Sequence, residues 1–336
     1  MLASSPPLPV TAMKRIVSLA FGLMISISAL RADEYPTHVL KSDQLTVKVY
    51  LPDAQKGFYR GTRFDWAGVF TVEFGKHKLF GPWKDKHDPA NNDDIVGPCE
   101  EFGSGFSGPL NYNEAKVGER FLKIGVGELE KPKEEKYRFF NNYKIAEAGA
   151  WKVDKADGKI SFEQSIQTDF GYGYKYTKMI LLDGAELRIL HVLENTGTKA
   201  IVTDCYNHNF FNVDGDAVGK NYRLDFPFEP KDISTEKNSN PAAKWAGKSL
   251  TFTDALDKGQ IYFELGGFNA KPGSQDAAVT MKHLPSGVSV RATGDKPPSR
   301  YNVWGIRTTL CPEPFVQLAI EPGKKAVWSW KYEFSK

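Results

Sequence analysis

The most unusual segment of the sequence is Thr203-Asp204-Cys205-Tyr206-Asn207-His208-Asn209-Phe210-Phe211-Asn212. Read as a β-strand, its alternation puts Asp204, Tyr206, His208 and Phe210 on one face and Cys205, Asn207, Asn209 and Phe211 on the other. Neither face is cleanly apolar. Burying such polar groups without partners costs about 1–3 kcal/mol each, so the strand either lines a wet cavity or runs along an exposed edge with amide ladders. An imidazole titrates near neutral pH, which makes proton transfer the chemistry on offer. The six histidines are scattered and form no His-x-x-x-His pair. The three cysteines, Cys99, Cys205 and Cys311, are widely spaced with no Cys-x-x-Cys pair. They read as buried thiols with room for at most one disulfide, and neither a metal centre nor another cofactor is expected.

The elements around this segment read as strands. Leu45, Val47, Val49 and Leu51 alternate with polar residues, as do Phe70, Val72 and Phe74, the period of a half-buried strand. Met179–Leu182 and Leu187–Leu193 flank Asp183-Gly184, which reads as a hairpin because Asp-Gly supplies the positive φ angles of a tight turn. Near the end, Trp328, Trp330, Tyr332 and Phe334 alternate with Val327, Ser329, Lys331 and Glu333 and should lay a row of aromatics onto a core. Helical patterns are confined to two short stretches, Asn113–Phe121 and Asn142–Ala150. Many strands spaced by turns, without repeats or long linkers, predict an all-β sandwich. A chain of 336 residues is long enough for one large two-sheet domain.

The N-terminus carries a different signal. Lys14 and Arg15 precede an apolar run from Ile16 to Leu30, followed by Arg31, Ala32 and Asp33. This is the pattern of a secretory signal peptide, and the run is short for a membrane span. Residues 1–32 are expected to be cleaved, leaving 33–336 as a single exported domain, periplasmic or extracellular, with no membrane attachment. Lysine and arginine are interspersed with acidic residues and the formal charge is +3, so a nucleic-acid partner is not suggested.

The stretch Glu186–Asn212 resembles the aldose 1-epimerase, or galactose mutarotase-like, family. It has a strand ending in Glu194-Asn195-Thr196-Gly197, a second strand, and then Asn207-His208-Asn209-Phe210-Phe211-Asn212, matching the family's Asn-His-x-aromatic-Phe-Asn pattern. The resemblance implies a large antiparallel β-supersandwich acting on a small-molecule sugar. It also implies that His208 is the acid that protonates the sugar ring oxygen. Gly61-Thr62-Arg63-Phe64-Asp65-Trp66 is similar to the family's segment bearing a sugar-binding arginine, which makes Arg63 the counterpart. Cys311-Pro312-Glu313-Pro314 looks like the glutamate-bearing strand, with Glu313 as the base at the anomeric hydroxyl; Glu321, in a turn before the last strand, competes for that role. Asp65, Tyr206 and Asn209, beside these groups, complete the expected sugar contacts.

The family's Leu-His-Gly-Gly motif is replaced by Leu79-Phe80-Gly81-Pro82-Trp83, which has no histidine, and Glu100 and Glu101 stand in a segment that does not align to the family. Tyr172 and Tyr174 fit core or hairpin packing better than a sugar contact. Two rival functions stay open: a carbohydrate-binding β-sandwich without catalysis, and a polysaccharide lyase or hydrolase of a related supersandwich fold.

Overall fold

The computed structural model describes residue 1 and residues 35–82, 84–104, 108–235, 240–268 and 271–336. Apart from Met1, the expected signal peptide lies outside them. Among the described residues the chain is built of antiparallel strands plus one 3₁₀ turn at Ser274–Ala277. The main layers are a ten-stranded and a six-stranded sheet, accompanied by sheets of four and three strands. The large antiparallel β-sandwich predicted from the strand periodicity is the architecture observed.

The alternating strands take up the predicted positions. Leu45–Tyr50 buries Leu45, Val47 and Val49. The final strand, Lys325–Ser335, buries Trp328, Trp330, Tyr332 and Phe334. Full burial of an aromatic side chain of this kind contributes about 1.5–3 kcal/mol, so this row is a main support of the core. The hairpin Gly173–Asp183/Glu186–Asn195 forms with Asp183 paired to Glu186. Its turn is therefore Gly184–Ala185, one residue later than Asp-Gly predicts, with the positive φ (53°) at Gly184.

Neither expected helix is present. Asn113–Phe121 holds turns that lead into the strand Arg120–Lys123. Gly118, at φ 85°, bends the chain there, and its N–H donates to Lys131 O. Within Asn142–Ala150 lies the strand Ile145–Ala148, paired with Gly127–Glu130. In both stretches sheet pairing overrides a weak local pattern.

The six-stranded sheet carries the strand Ile201–His208 between Thr309–Ile320 and Cys99–Phe102. The ladder to Thr309–Ile320 ends at Tyr206↔Phe315, next to Pro314. Pro312 and Pro314 lack N–H donors and cannot extend it. Asn209 Nδ2 instead donates to Pro312 O at 2.5 Å. Just past His208 the chain turns at Phe210, whose φ of 46° is rare for a bulky residue.

Candidate active site

Strand register assembles the site. Cys99 pairs with His208, and Asn302 with Glu313; Glu101 pairs with Tyr206, which pairs with Phe315, which pairs with Arg300. Residues two apart on a strand share a face, so these rungs point their side chains to the same side of the sheet. They open on a cavity of about 350 Å³, within the range of small-molecule sites. His208, Tyr206, Glu313, Glu101, Arg300 and Asn302 line it from strands, and Arg63, Asp93 and Phe139 reach it from loops. Trp304 and Tyr262 complete the wall, with the Trp304 indole fixed by an N–H bond to Gln260 at 3.0 Å.

His208 and Glu313, far apart in sequence, meet at the cavity wall with Nε2 3.1 Å from the carboxylate. Phe210 stacks on the imidazole at 3.9 Å, and Phe64 meets it edge-on at 5.5 Å. These rings exclude water from one side of the pair. Burial, aided by the Arg63 charge, pushes the His208 imidazole well below its usual range. Burial also raises the Glu313 carboxyl to about 8, against the pull of Arg63. The pair therefore favours one proton near neutral pH, on the carboxyl, facing a neutral imidazole. Moving it across the 3.1 Å contact gives imidazolium and carboxylate, the charge states of the roles that the resemblance implies.

Arg63 also lines the cavity, but its fork is heavily committed. Nε donates to Glu101 at 2.8 Å, Nη1 to Asp93 at 2.6 Å and Nη2 to the Tyr206 hydroxyl at 3.2 Å. Its guanidinium lies between the rings of Phe64 and Phe139. Burial opposes the charge, but Glu101, Tyr206 and Asp93 outweigh it and hold the guanidinium firmly protonated. The Tyr206 hydroxyl donates to Glu101 at 2.5 Å. Lys123 lies 3.9 Å from Glu101 on the buried side; burial lowers its ammonium to about 8 although Glu101 supports the charge. Glu101 thus lines the cavity, whereas Glu100 points inward.

Two expected sugar contacts fall outside the cavity. Asp65 is buried, accepting from Ala67 N at 2.7 Å and from the Tyr176 hydroxyl at 3.1 Å; it lies in a bent segment outside any strand, which turns it into the interior. Asn209 is held by Pro312 O and by the Tyr332 hydroxyl, which donates to it at 2.7 Å, because the chain turns at Phe210. Asn207 donates to the same hydroxyl at 2.7 Å, so both amides of the histidine strand's second face turn into the core. Glu321 is exposed in its turn. Tyr174 is buried and Tyr172 donates to Glu114. All three cysteines are buried free thiols, as the sequence suggested. Sequence reasoning missed Arg300, Asn302 and Trp304, although their spacing of two within one strand was a readable signal.

No protein-family model matches this sequence, and no curated protein does. Solved structures do. A GalM/aldose epimerase homologue from C. elegans superimposes with a TM-score of 0.55 at 14% identity, covering 90% of this chain and 99% of the other. A galactose mutarotase-like protein from Clostridium acetobutylicum gives 0.53 at 11%, covering 91% and 100%. Another from Lactobacillus casei gives 0.51 at 14%, covering 89% and 100%. The chain has the galactose mutarotase-like fold. At these identities the fold is what is shared. Within this galactose mutarotase-like sandwich, the described cavity opens on the six-stranded sheet, where the ladder between Ile201–His208 and Thr309–Ile320 ends.

Proposed function

We propose that this chain is an exported enzyme that interconverts the anomers of an aldose, with His208 and Glu313 as its acid–base pair. The supporting observation is their convergence at 3.1 Å in one cavity. Ring opening needs a base at the anomeric hydroxyl and an acid at the ring oxygen. Starting from imidazolium and carboxylate, Glu313 takes the hydroxyl proton while His208 protonates the ring oxygen. Rotation about the bond beside the carbonyl then presents its other face. Closure reverses both transfers: His208 takes the proton of the freed hydroxyl and Glu313 returns one to the carbonyl oxygen. The pair ends as it began, and no cofactor is consumed.

Each well-placed acid or base is worth about two to four orders of magnitude in rate. Arg63 acts mainly by fixing Glu101, Asp93 and Tyr206, leaving hydroxyl and carboxylate oxygens along the wall. Arg300, Asn302 and Tyr262 face the sugar's other hydroxyls. The compact cavity favours a single sugar unit over an extended polysaccharide chain. Export rests on the basic, apolar and small-residue pattern of residues 14–32.

The test is NMR exchange of a panel of aldose anomers with the wild type and with His208→Ala and Glu313→Gln. Acceleration in the wild type that is lost in both variants supports the reading. Sugar binding without acceleration in the wild type replaces it with a binding module, and release of new reducing ends from oligosaccharides replaces it with polysaccharide cleavage.

A further inference from the structure

Beside the cavity, buried behind its wall, lies a group that proton transfer leaves unused, the Cys311 thiol. Cys311 and Glu313 are two residues apart on one strand and share a face, with His208 beside them on the neighbouring strand. A ligand atom from each of the three side chains lies within 4.8 Å of the others, and all three residues are buried. Zinc bonds of about 2.0–2.3 Å place tetrahedral donors roughly 3.3–3.8 Å apart. The 3.1 Å nitrogen–oxygen pair is near that spacing, and the sulfur closes the rest by a shift of about an ångström.

The donor set selects among metals. Calcium and magnesium take oxygen ligands, whereas one nitrogen, one sulfur and one oxygen suit zinc. A neutral imidazole, a thiolate and a carboxylate cancel the two positive charges of the ion, which limits the cost of burying it beside Phe64 and Phe210. The donors have other ties: the thiol to the Phe210 backbone and Thr309, and the carboxylate to Asn302. The thiol's contact with Thr309 Oγ1 is long, at 3.6 Å, and buried His208 Nδ1 makes no hydrogen bond.

We propose that His208, Cys311 and Glu313 form a zinc-binding site whose open corner faces the cavity, and that a bound zinc ion holds the acid–base pair out of action. Binding expels the thiol proton and the proton on the Glu313 carboxyl to solvent. The ion then occupies the imidazole lone pair and the carboxylate, so neither can exchange a proton with a sugar until the metal leaves. The site stands on the geometry alone; its effect on turnover rests on the function proposed above.

The experiment uses the full chain stripped with a chelator. Zinc titration is expected to give one ion per chain. The cobalt(II) derivative should show a thiolate-to-cobalt charge-transfer band that is absent from Cys311→Ala, and Cys311→Ser should loosen zinc by a hundredfold or more, on the order of the larger losses seen for altered metal sites. Anomer exchange should fall along the zinc titration and return with chelator. Absence of stoichiometric zinc binding, or a cobalt spectrum unchanged in Cys311→Ala, overturns the site. If the metal-free chain exchanges anomers yet binds no zinc, this inference fails and the proposed function stands. If it binds zinc but exchanges no aldose, the metal site stands while the proposed function and the inhibitory role both fail. Exchange accelerated by zinc also overturns the inhibitory role.

Discussion

Two clusters of charge lie on opposite sides of the strand Cys99–Phe102. Glu101 faces the cavity with Arg63, Tyr206 and, one rung away, His208 and Glu313. Glu100 faces the interior, paired with Lys178 and 3.2 Å from His191 Nε2. Lys178 Nζ also donates to Ala67 O at 2.8 Å, and Asp65 lies 3.5 Å from it. The inner cluster is sealed, and its Lys178–Glu100 pair stays charged, although burial raises Asp65 to about 7 and lowers His191. Burial opposes both charges, yet Lys178 and His191 hold Glu100 below its usual value, and Glu100 and Asp65 hold Lys178 above its own. The cavity pair reaches the opposite outcome, since burial raises Glu313 and lowers His208. An ammonium between carboxylates keeps its proton; an imidazole against one carboxyl shares it, and a shared proton can be passed on. Burial of titratable groups is common to both places, and access to a partner outside the protein separates them.

Substitutions can break that contrast. The largest effect is expected in the cavity: His208→Ala and Glu313→Gln should each slow anomer exchange by about a hundredfold to ten-thousandfold, with the folded circular dichroism spectrum retained. The inner cluster should answer in stability. Lys178→Met leaves Glu100 and Asp65 uncompensated and should cost about 3–5 kcal/mol, read from urea unfolding.

Glu313 supplies a pH signature. Its carboxyl rises from an ordinary 4.5 to about 8, chiefly through burial. The fold therefore binds the proton more tightly than the unfolded chain does, so this stabilisation is complete below pH 4.5 and fades as pH rises towards about 8. Relative to wild type, Glu313→Gln should gain stability across that window and level off above it, in unfolding midpoints measured against pH. A smaller loss is expected for Tyr206→Phe, which removes the hydroxyl joining Glu101 and Arg63. A hydrogen bond to a charged group contributes about 1.5–3 kcal/mol, to be read from thermal unfolding and sugar affinity. Lys144→Ala, which breaks an exposed pair with Glu130, should change stability by no more than about 1 kcal/mol.

Strands that obey a simple period of two were legible in advance, because one face meets hydrocarbon and the other meets water. Leu45–Tyr50 and Lys325–Ser335 are of this kind. Asn113–Phe121 and Asn142–Ala150 were misread because their local patterns are weak and pairing across the sheet decides them. In the site, His208, Glu313, Arg63 and Tyr206 come together at one cavity, while Asp65 and Asn209 do not. Nearness in sequence misled there: Asn209 directly follows His208 and points to the other side, and Asp65 sits in a bent segment where no strand period applies. Trp304 and Asn302 went unnoticed because one strand alone does not say which of its faces meets a void.

By itself the sequence determined the strand-rich character, the buried aromatic row and the polar run around His208, since each depends on residue type and a short period. Only the tertiary structure decided that His208 meets Glu313, that Glu100 and Glu101 face opposite worlds, and that Cys311 joins the histidine and carboxylate. Those outcomes depend on register between strands distant in sequence, and a one-residue slip would turn every side chain to the other face.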